Sequence, residues 1–231
     1  MKDFNSYFYD GSSVLANKLN IRNPILLDEA VNDIATARMS ELLAQQRCPD
    51  CFDSSYLRHV HRTLFQDCYD WAGEYRECGM GRNIDFCSPD DIPGRMEAWS
   101  KLFQKEFMLA AGTPDQMADR LARFWGALNQ IHPFRDGNGR SQAAFFASVC
   151  EAKGLSVSFS QKDIRNLRLA RDEASDGRPH LLENLLRRSL SGDAKPYGQL
   201  EQRRTGAFGR LMGMLRRCPD TGPEAGGPDI V

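Results

Sequence analysis

A polar stretch near the middle of the chain, IHPFRDGNGRSQ at residues 131–142, separates two apolar segments. Residues 115–130 carry apolar side chains at the spacing of a helix, and residues 141–153 are rich in alanine and phenylalanine. Gly154 follows the second segment, at a place where glycine commonly ends a helix. Because unpaired polar groups are costly to bury, a stretch this polar between two helices is expected to face a ligand.

Several residues of this loop suit a phosphate group. Gly137 and Gly139 allow the backbone to approach a ligand closely and to adopt a positive φ. The helix that follows offers free N–H groups and the positive end of its dipole. Asn138 can donate to a phosphate oxygen, and Arg140 can bind a second phosphate with its planar fork. We therefore expect a phosphate-binding loop.

Two further residues add reactive chemistry to the loop. Asp136 supplies a hard oxygen ligand, of the kind that binds Mg²⁺ carried by phosphates. His132 is a histidine, a residue type with an unperturbed pKa of about 6.5, which suits removal of a hydroxyl proton near neutral pH. A phosphate cradle, a metal ligand and a base together indicate transfer of a phosphorus group to an alcohol.

Residues 132–140, HPFRDGNGR, resemble the signature of Fic domains, HPFx(D/E)GNGRxxR. Residues 9–18, 64–67 and 69–76 are also similar to stretches of bacterial Fic proteins, so the likeness covers about residues 7–190. The resemblance implies a mostly α fold, namely a Fic-type helical bundle with a small β-hairpin flap next to the active-site loop. It also implies an activity, since Fic enzymes mostly transfer AMP from ATP to a Ser, Thr or Tyr hydroxyl of a target protein.

The resemblance assigns roles within the loop, with ATP as donor and Mg²⁺ as cofactor. His132 is implied as the base and Asp136 as the metal ligand. The further residues implied in catalysis are Asn138, which would stabilise charge on the α-phosphate, and Arg140, which would contact the outer phosphate. The residues implied to bind the nucleotide are Gly137, Asn138, Gly139 and Arg140.

One position departs from the family signature. The final arginine of the signature would fall three residues after Arg140, where this chain has Ala143. In the family that arginine contacts the terminal phosphate, and a charge-assisted contact of this kind contributes about 1.5–3 kcal/mol. The donor therefore stays open between ATP, another nucleoside triphosphate and a diphosphate-linked metabolite such as CDP-choline. Gly139 argues against the phosphate-transferring branch of the family, which carries lysine there.

Residues 75–88 have the pattern of a short hairpin around Gly79-Met80-Gly81. By resemblance this hairpin is the Fic flap, which pairs with an extended segment of the target protein by strand addition. The residues expected to face the target are Arg82, Asn83, Ile84, Asp85 and Phe86.

Regulation of restrained Fic proteins uses a (Ser/Thr)-x-x-x-Glu helix, either in the same chain or on a small antitoxin. No Ser or Thr of this sequence lies four residues before a Glu. Inhibition within the chain is therefore not expected, whereas a separate antitoxin partner stays open. The glutamate of such an antitoxin would meet Ala143 in place of an arginine.

The remaining chain is predicted to be helical with a distinct tail. The predicted helices cover residues 26–46, a segment from Asp53 or Ser54 to about residue 68, a segment from about residue 90 to 107, a segment that begins after Ser160, and residues 180–190. Thr113 is predicted to cap the helix that leads into the loop. His59, His61 and His180 are assigned structural or surface roles. Residues 1–190 are expected to form the Fic domain with an N-terminal arm, and residues 191–231 a tail with a basic amphipathic helix over 200–218 and a disordered end.

Composition excludes several classes of protein. The 231 residues are 41% hydrophobic with a net charge of −1, which supports one substantial core and argues against nucleic-acid binding. No apolar run approaches the roughly 18 residues of a membrane span, and no signal peptide is apparent, so a membrane protein is not expected. Seven cysteines, with a lone CxxC at 48–51, favour a reducing compartment. The expected location is the bacterial cytoplasm, as for a toxin, or a host cell, as for a delivered effector.

A different class of function also fits the pattern. The chain could be a catalytically silent module that uses the flap to bind a partner protein. The presence of His132, Asp136, Asn138 and Arg140 argues against this alternative, since silent relatives usually lack one of them.

Overall fold

The computed structural model describes residues 4–44, 51–81 and 86–197. The α-helices within these ranges are α1 Pro24–Ala44, α2 Ser54–Phe65, α3 Ile92–Phe103, α4 Pro114–Ile131, α5 Asn138–Ala152, α6 Gln161–Ser175 and α7 His180–Ser189. Short 3-10 turns cover Phe4–Tyr7 and Pro89–Asp91, and a π-helical turn, Gln104–Met108, extends α3. Two short strands, β1 Ser156–Val157 and β2 Leu190–Ser191, form an antiparallel pair.

The prediction of a mostly α fold is confirmed, and the described strands form a small antiparallel sheet. The two described strands follow α5 and α7, so they are not the two sides of the predicted flap. Residues 82–85, the centre of that hairpin, lie outside the described ranges. The described flanks, residues 75–81 and 86–88, belong to no named strand.

Capping residues fix the starts of three helices as the sequence predicts. Asp53 accepts hydrogen bonds from the backbone N–H groups of the first turn of α2. Thr113 before α4 and Ser160 before α6 each form a capping box with the third residue of the helix. Gly154, with φ of +80°, ends α5 as predicted, because only glycine adopts this conformation without strain.

The start of α5 differs from the prediction by three residues. The apolar pattern placed it at Ser141, but the helix begins at Asn138. Gly137 takes a left-handed conformation, with φ of 74° and ψ of 8°, and turns the chain directly into the helix. The polar residues Asn138, Gly139 and Arg140 therefore belong to the first helical turn.

Two apolar clusters meet at α5. The larger surrounds α4, which packs against α3, α5, α6 and α7, and its aromatic centre consists of Trp99, Phe103, Phe107, Phe124, Phe145 and Phe146. The smaller joins α1 to α2 through Val31, Ala35, Met39, Val60, Leu64 and Phe65. Ala144 lies in the smaller cluster and Phe145 in the larger. The loop before α5 is thus anchored to the helix that both clusters share.

The chain after β2 returns to the core. Lys153 at the end of α5 is fully buried, and its ammonium group donates to the carbonyl oxygens of Met108, Ala110 and Lys195 at 2.7–2.9 Å. Burial lowers the pKa of Lys153 to about 8. Tyr197 packs edge-on against Phe52. The predicted helix over 200–218 and Cys48 of the CxxC pair lie outside the described residues.

Replacing this ammonium group should destabilise the fold. Lys153→Met would remove this donor from three carbonyl oxygens, of which that of Met108 keeps the Tyr197 N–H as a donor at 2.9 Å. Each unpaired buried group costs about 1–3 kcal/mol, partly offset by removal of a buried charge. We expect a loss of about 2 kcal/mol in the free energy of unfolding by urea titration. Lys162→Met, at an exposed position of α6, is the matched control and should change stability little. Equal stabilities of the two variants would contradict the assigned role.

Candidate active site

The candidate active site begins where α4 ends. His132 caps the helix in a left-handed conformation, with φ of 47° and ψ of 63°, and its N–H group donates to the Leu128 carbonyl. Among the non-glycine residues in the described ranges, Asn20 is the only other one with a positive φ. Such a conformation costs free energy in a non-glycine residue, so the surrounding contacts must stabilise it. The turn places the imidazole, 6% exposed, at the entrance of the loop.

The tautomer of the His132 imidazole follows from its hydrogen bond. Nδ1 lies 3.3 Å from the carbonyl oxygen of Asn129, which can only accept. Nδ1 therefore carries the proton in the neutral ring, and Nε2 carries the lone pair that a base needs. The ring of Phe86 stacks on the imidazole, with 3.7 Å between centroids and 12° between planes. Both contacts fix the orientation of the ring.

Asn138 closes the loop on itself. Its side-chain oxygen accepts from the backbone N–H of Phe134 at 3.0 Å, and its amide nitrogen donates to the carbonyl of the same residue at 2.7 Å. The sequence predicts that this amide donates to a phosphate oxygen. In the structure its partners are backbone atoms, so the amide shapes the loop, and a phosphate contact stays a prediction.

Gly137 is required at its position for two reasons. Its positive φ disfavours any other residue, and a Cβ atom built there would lie 2.4 Å from ring atoms of Phe65 in α2. The backbone consequently packs directly on α2. From this point α5 begins, and the N–H groups of its first turn, on Asn138, Gly139 and Arg140, have no acceptor within the helix.

Arg140 is buried at the centre of the site, with 4% of its side chain exposed. Nη1 donates to the side-chain oxygen of Asn32 in α1 at 2.7 Å, and the guanidinium lies 4.8 Å from the centre of the Phe65 ring. Nη2 lies 3.4 Å from a carboxylate oxygen of Asp136. Ala143, one turn further along α5, is also buried and brings no charge to the site.

Asp136 is the carboxylate of the loop that reaches solvent, with 18% of its side chain exposed. Within the described ranges no group of three or more His, Cys, Asp or Glu side chains could hold a metal ion. Mg²⁺ keeps several waters and usually binds one or two carboxylates together with substrate phosphates. A single carboxylate beside the open turn of α5 is compatible with such a metal.

His61 of α2 packs against the loop and forms a hydrogen bond to its backbone. The Gly73 N–H donates to Nδ1 at 2.8 Å, so Nε2 carries the proton and donates to the Asp136 carbonyl at 2.9 Å. The ring stacks on Phe134 at 3.9 Å. Burial lowers the pKa of His61 to about 3, so the ring is neutral in the folded protein. The structural role expected for His61 is confirmed, but its contact with the loop was not foreseen.

Arg76 is a buried residue that sequence analysis missed. Its Nε donates to the His132 carbonyl at 2.8 Å, while Nη1 and Nη2 donate to the carbonyls of Cys78 and Cys87 at 2.7 and 2.6 Å. One guanidinium thus joins the strained residue of the loop to both ends of the predicted flap. The available signal was its place at the end of residues 69–76, which resemble the family.

The predicted target-facing residues are placed only in part. Arg82, Asn83, Ile84 and Asp85 lie outside the described residues. Phe86, also expected to face the target, is 8% exposed, and its ring stacks on that of His132.

The N-terminal arm also contacts the loop. The guanidinium of Arg135 lies 4.6 Å from the ring centre of Phe4 and 4.9 Å from that of Phe8. Tyr7, between them, accepts a hydrogen bond from the Glu77 N–H through its hydroxyl group. The arm therefore packs on both the loop and the start of the flap segment.

The neutral state of His61 predicts a pH dependence of stability. Between pH 6.5 and about 3 the unfolded chain binds a proton that the folded chain does not. The His61 contribution is complete above pH 6.5, and the free energy of unfolding falls by up to about 1.4 kcal/mol for each pH unit below it. His61→Gln should remove this part of the slope in urea titrations between pH 4 and 8. The exposed His180→Gln should retain it, and an unchanged slope in His61→Gln would exclude the assignment.

Comparison with known proteins identifies the family. The Fic/DOC family model matches residues 51–150. A relative from Sinorhizobium fredii, named probable protein adenylyltransferase y4lH, is 30% identical over 192 residues, covering 81% of this chain and 89% of that protein. A protein adenylyltransferase from Bartonella henselae is 29% identical over 171 residues, and the match covers 67% of this chain but 31% of the relative. This chain therefore spans about a third of that relative's length.

Comparison of the fold with solved structures identifies the same family. The N-terminal Fic domain of a VirB-translocated effector protein from Bartonella quintana, solved with bound ADP, has a TM-score of 0.73 at 26% identity. The match covers 83% of this chain and 96% of that chain. Among the described helices, none has both the length and the apolar character needed to cross a membrane. By sequence and by fold, the chain belongs to the Fic/DOC family.

Proposed function

We propose that this chain is a protein adenylyltransferase that transfers AMP from ATP to a Ser, Thr or Tyr hydroxyl of a target protein. The observation that carries the proposal is the position of His132, whose Nδ1 lies 3.3 Å from the Asn129 carbonyl oxygen, next to a helix with an open first turn. The names of the relatives from Sinorhizobium fredii and Bartonella henselae support the same reaction.

The proposed step is a displacement at the α-phosphorus. The hydroxyl oxygen of the target forms a bond to this phosphorus while the bond to the bridging oxygen of the outer phosphates breaks. Nε2 of His132 accepts the hydroxyl proton. The products are the AMP ester of the target and pyrophosphate, so atoms and charge balance.

The first turn of α5 is the proposed phosphate cradle. The N–H groups of Asn138, Gly139 and Arg140 lack acceptors within the helix, and the helix dipole favours negative charge at this end. Arg140 is proposed to contact the outer phosphate. The ADP in the Bartonella quintana domain, which is 26% identical, supports nucleotide binding by this fold.

Asp136 would hold Mg²⁺, which when bound neutralises charge on the phosphates. Its partly exposed carboxylate beside the cradle is the observation that supports this role. Position 143 of α5 is an alanine, so no arginine there can bind a terminal phosphate. The identity of the donor is therefore determined by the assay below.

The target is proposed to dock on the flap, residues 82–86, by strand addition. The bond from Arg76 to the carbonyl of His132 and those to both flap ends support coupling between docking and the base. A small antitoxin partner is compatible with the family, although its glutamate would meet Ala143. Delivery into a host cell is a further proposal, supported by the VirB-translocated effector from Bartonella quintana.

Mass spectrometry of lysate targets tests the reaction. With Mg²⁺ and ATP, targets should gain the mass of one AMP, because His132 can deprotonate their hydroxyl groups. GTP, UTP, CTP and CDP-choline, assayed in parallel, identify the preferred donor. His132→Ala should abolish the gain, whereas His59→Ala, at an exposed position of α2, should preserve it.

The same experiment separates the enzyme from a silent binding module. Persistence of the modification in His132→Ala would exclude His132 as the base. Capture of a partner protein by both the wild type and His132→Ala, with no mass gain from any donor, would support the binding module instead.

Gly137→Ala should lower AMP transfer by at least about tenfold, because the added Cβ would push the loop away from Phe65. Gly177→Ala is the matched control, since Gly177 has a similar φ of +79° but open space around its Cα. Both variants carry the backbone strain, about 1 kcal/mol, but only Gly137→Ala carries the clash. Equal activities of the two variants in the mass assay would contradict the close packing of the loop on α2.

A further inference from the structure

Asn32 in the middle of α1 reaches the active-site loop from a distant part of the sequence. Its side-chain oxygen accepts a 2.7 Å hydrogen bond from Nη1 of Arg140, 108 residues away. This is the shortest contact of that guanidinium group in the described part of the chain. Asn32 is half-buried, so its side chain lies at the border between the site and solvent.

One carboxylate, that of Asp136, partly compensates the charge of Arg140. The nearest partner, Asn32, is neutral, and Nη2 forms an ion pair with the Asp136 carboxylate at 3.4 Å. Nε is buried and has no partner among the described residues. The guanidinium also lies 4.8 Å from the centre of the Phe65 ring. A buried cation is costly unless its charge and its N–H donors are satisfied. With one carboxylate beside it and an Nε that has no partner in the described residues, this guanidinium is suited to receive an anion from outside the protein.

We propose that Asn32 is a positioning residue for phosphate recognition. Its neutral oxygen orients the Arg140 fork without cancelling its charge, which leaves that charge for the outer phosphates of the donor nucleotide. An aspartate at the same place would form a charged pair with Arg140 and compete with the phosphate. The charge of the side chain at position 32 therefore sets the affinity for nucleotide. This inference rests on the proposed function, because it assumes that the anion is a nucleotide phosphate.

Calorimetric titration with ATP and Mg²⁺, and with inorganic pyrophosphate, tests the proposal on the full chain. Asn32→Asp should weaken binding of both probes by at least about tenfold, because the new carboxylate pairs with Arg140. Asn32→Ala should weaken binding less, since the fork loses its orientation but keeps its charge. Ala37→Asp is the matched control, because it adds the same charge at an exposed position of α1.

Thermal unfolding distinguishes this role from a structural one. All variants should unfold within a few degrees of the wild type, although their affinities for the probes differ. In Asn32→Asp the affinity for AMP should fall less than the affinity for ATP. Wild-type affinity for both probes in Asn32→Asp would overturn the inference. If the wild type binds pyrophosphate but not ATP, the proposed function fails, and the pyrophosphate affinities still decide the role of Asn32. If the wild type binds neither probe, both proposals fail.

Discussion

A single neutral imidazole joins the active-site loop to the body of the protein. Nδ1 of His61 accepts a hydrogen bond from the Gly73 N–H, and Nε2 donates one to the Asp136 carbonyl. The two ring nitrogens thus connect the segment after α2 to the loop before α5. The ring also stacks on Phe134. Because the ring is buried, its pKa is lowered and one tautomer satisfies both partners. The conformation of the loop depends on this arrangement.

Two other groups stabilise the loop at different points. Arg76 binds the carbonyl of His132, whose left-handed conformation needs such support, and Asn138 closes the turn over Phe134. Gly137 allows the backbone to lie directly on Phe65. The conformation of the loop is therefore formed before a ligand binds, which lowers the cost of organising a bound ligand.

The sequence was sufficient for features that depend on local interactions. Three helix N-termini could be predicted from their caps, Asp53, Thr113 and Ser160. Each of these side chains accepts a hydrogen bond from the first turn of its own helix. The early start of α5 was missed, because the polar sequence of Asn138–Arg140 has no apolar periodicity to indicate a helix. The flap and the nucleotide contacts remain predictions.

The missed residues of the site share one physical reason. His61, Arg76 and Asn32 each bond to the loop from positions 75, 56 and 108 residues away, and no periodicity or spacing in the sequence records such contacts. Each is a polar residue on an element predicted from other features. Their partners became apparent only when α1, α2 and the segment after α2 were placed around the loop.

The tautomers of the histidine rings provide the most direct test, and the chain has only four histidines to assign. Long-range ¹⁵N–¹H correlation spectra of the folded protein near pH 7 distinguish the protonated ring nitrogen of each. We expect opposite tautomers, with the proton on Nδ1 of His132 and on Nε2 of His61. A proton on Nε2 of His132 would contradict the role proposed for this residue, and a proton on Nδ1 of His61 would break both of its bonds to the backbone; either result would contradict this account of the site.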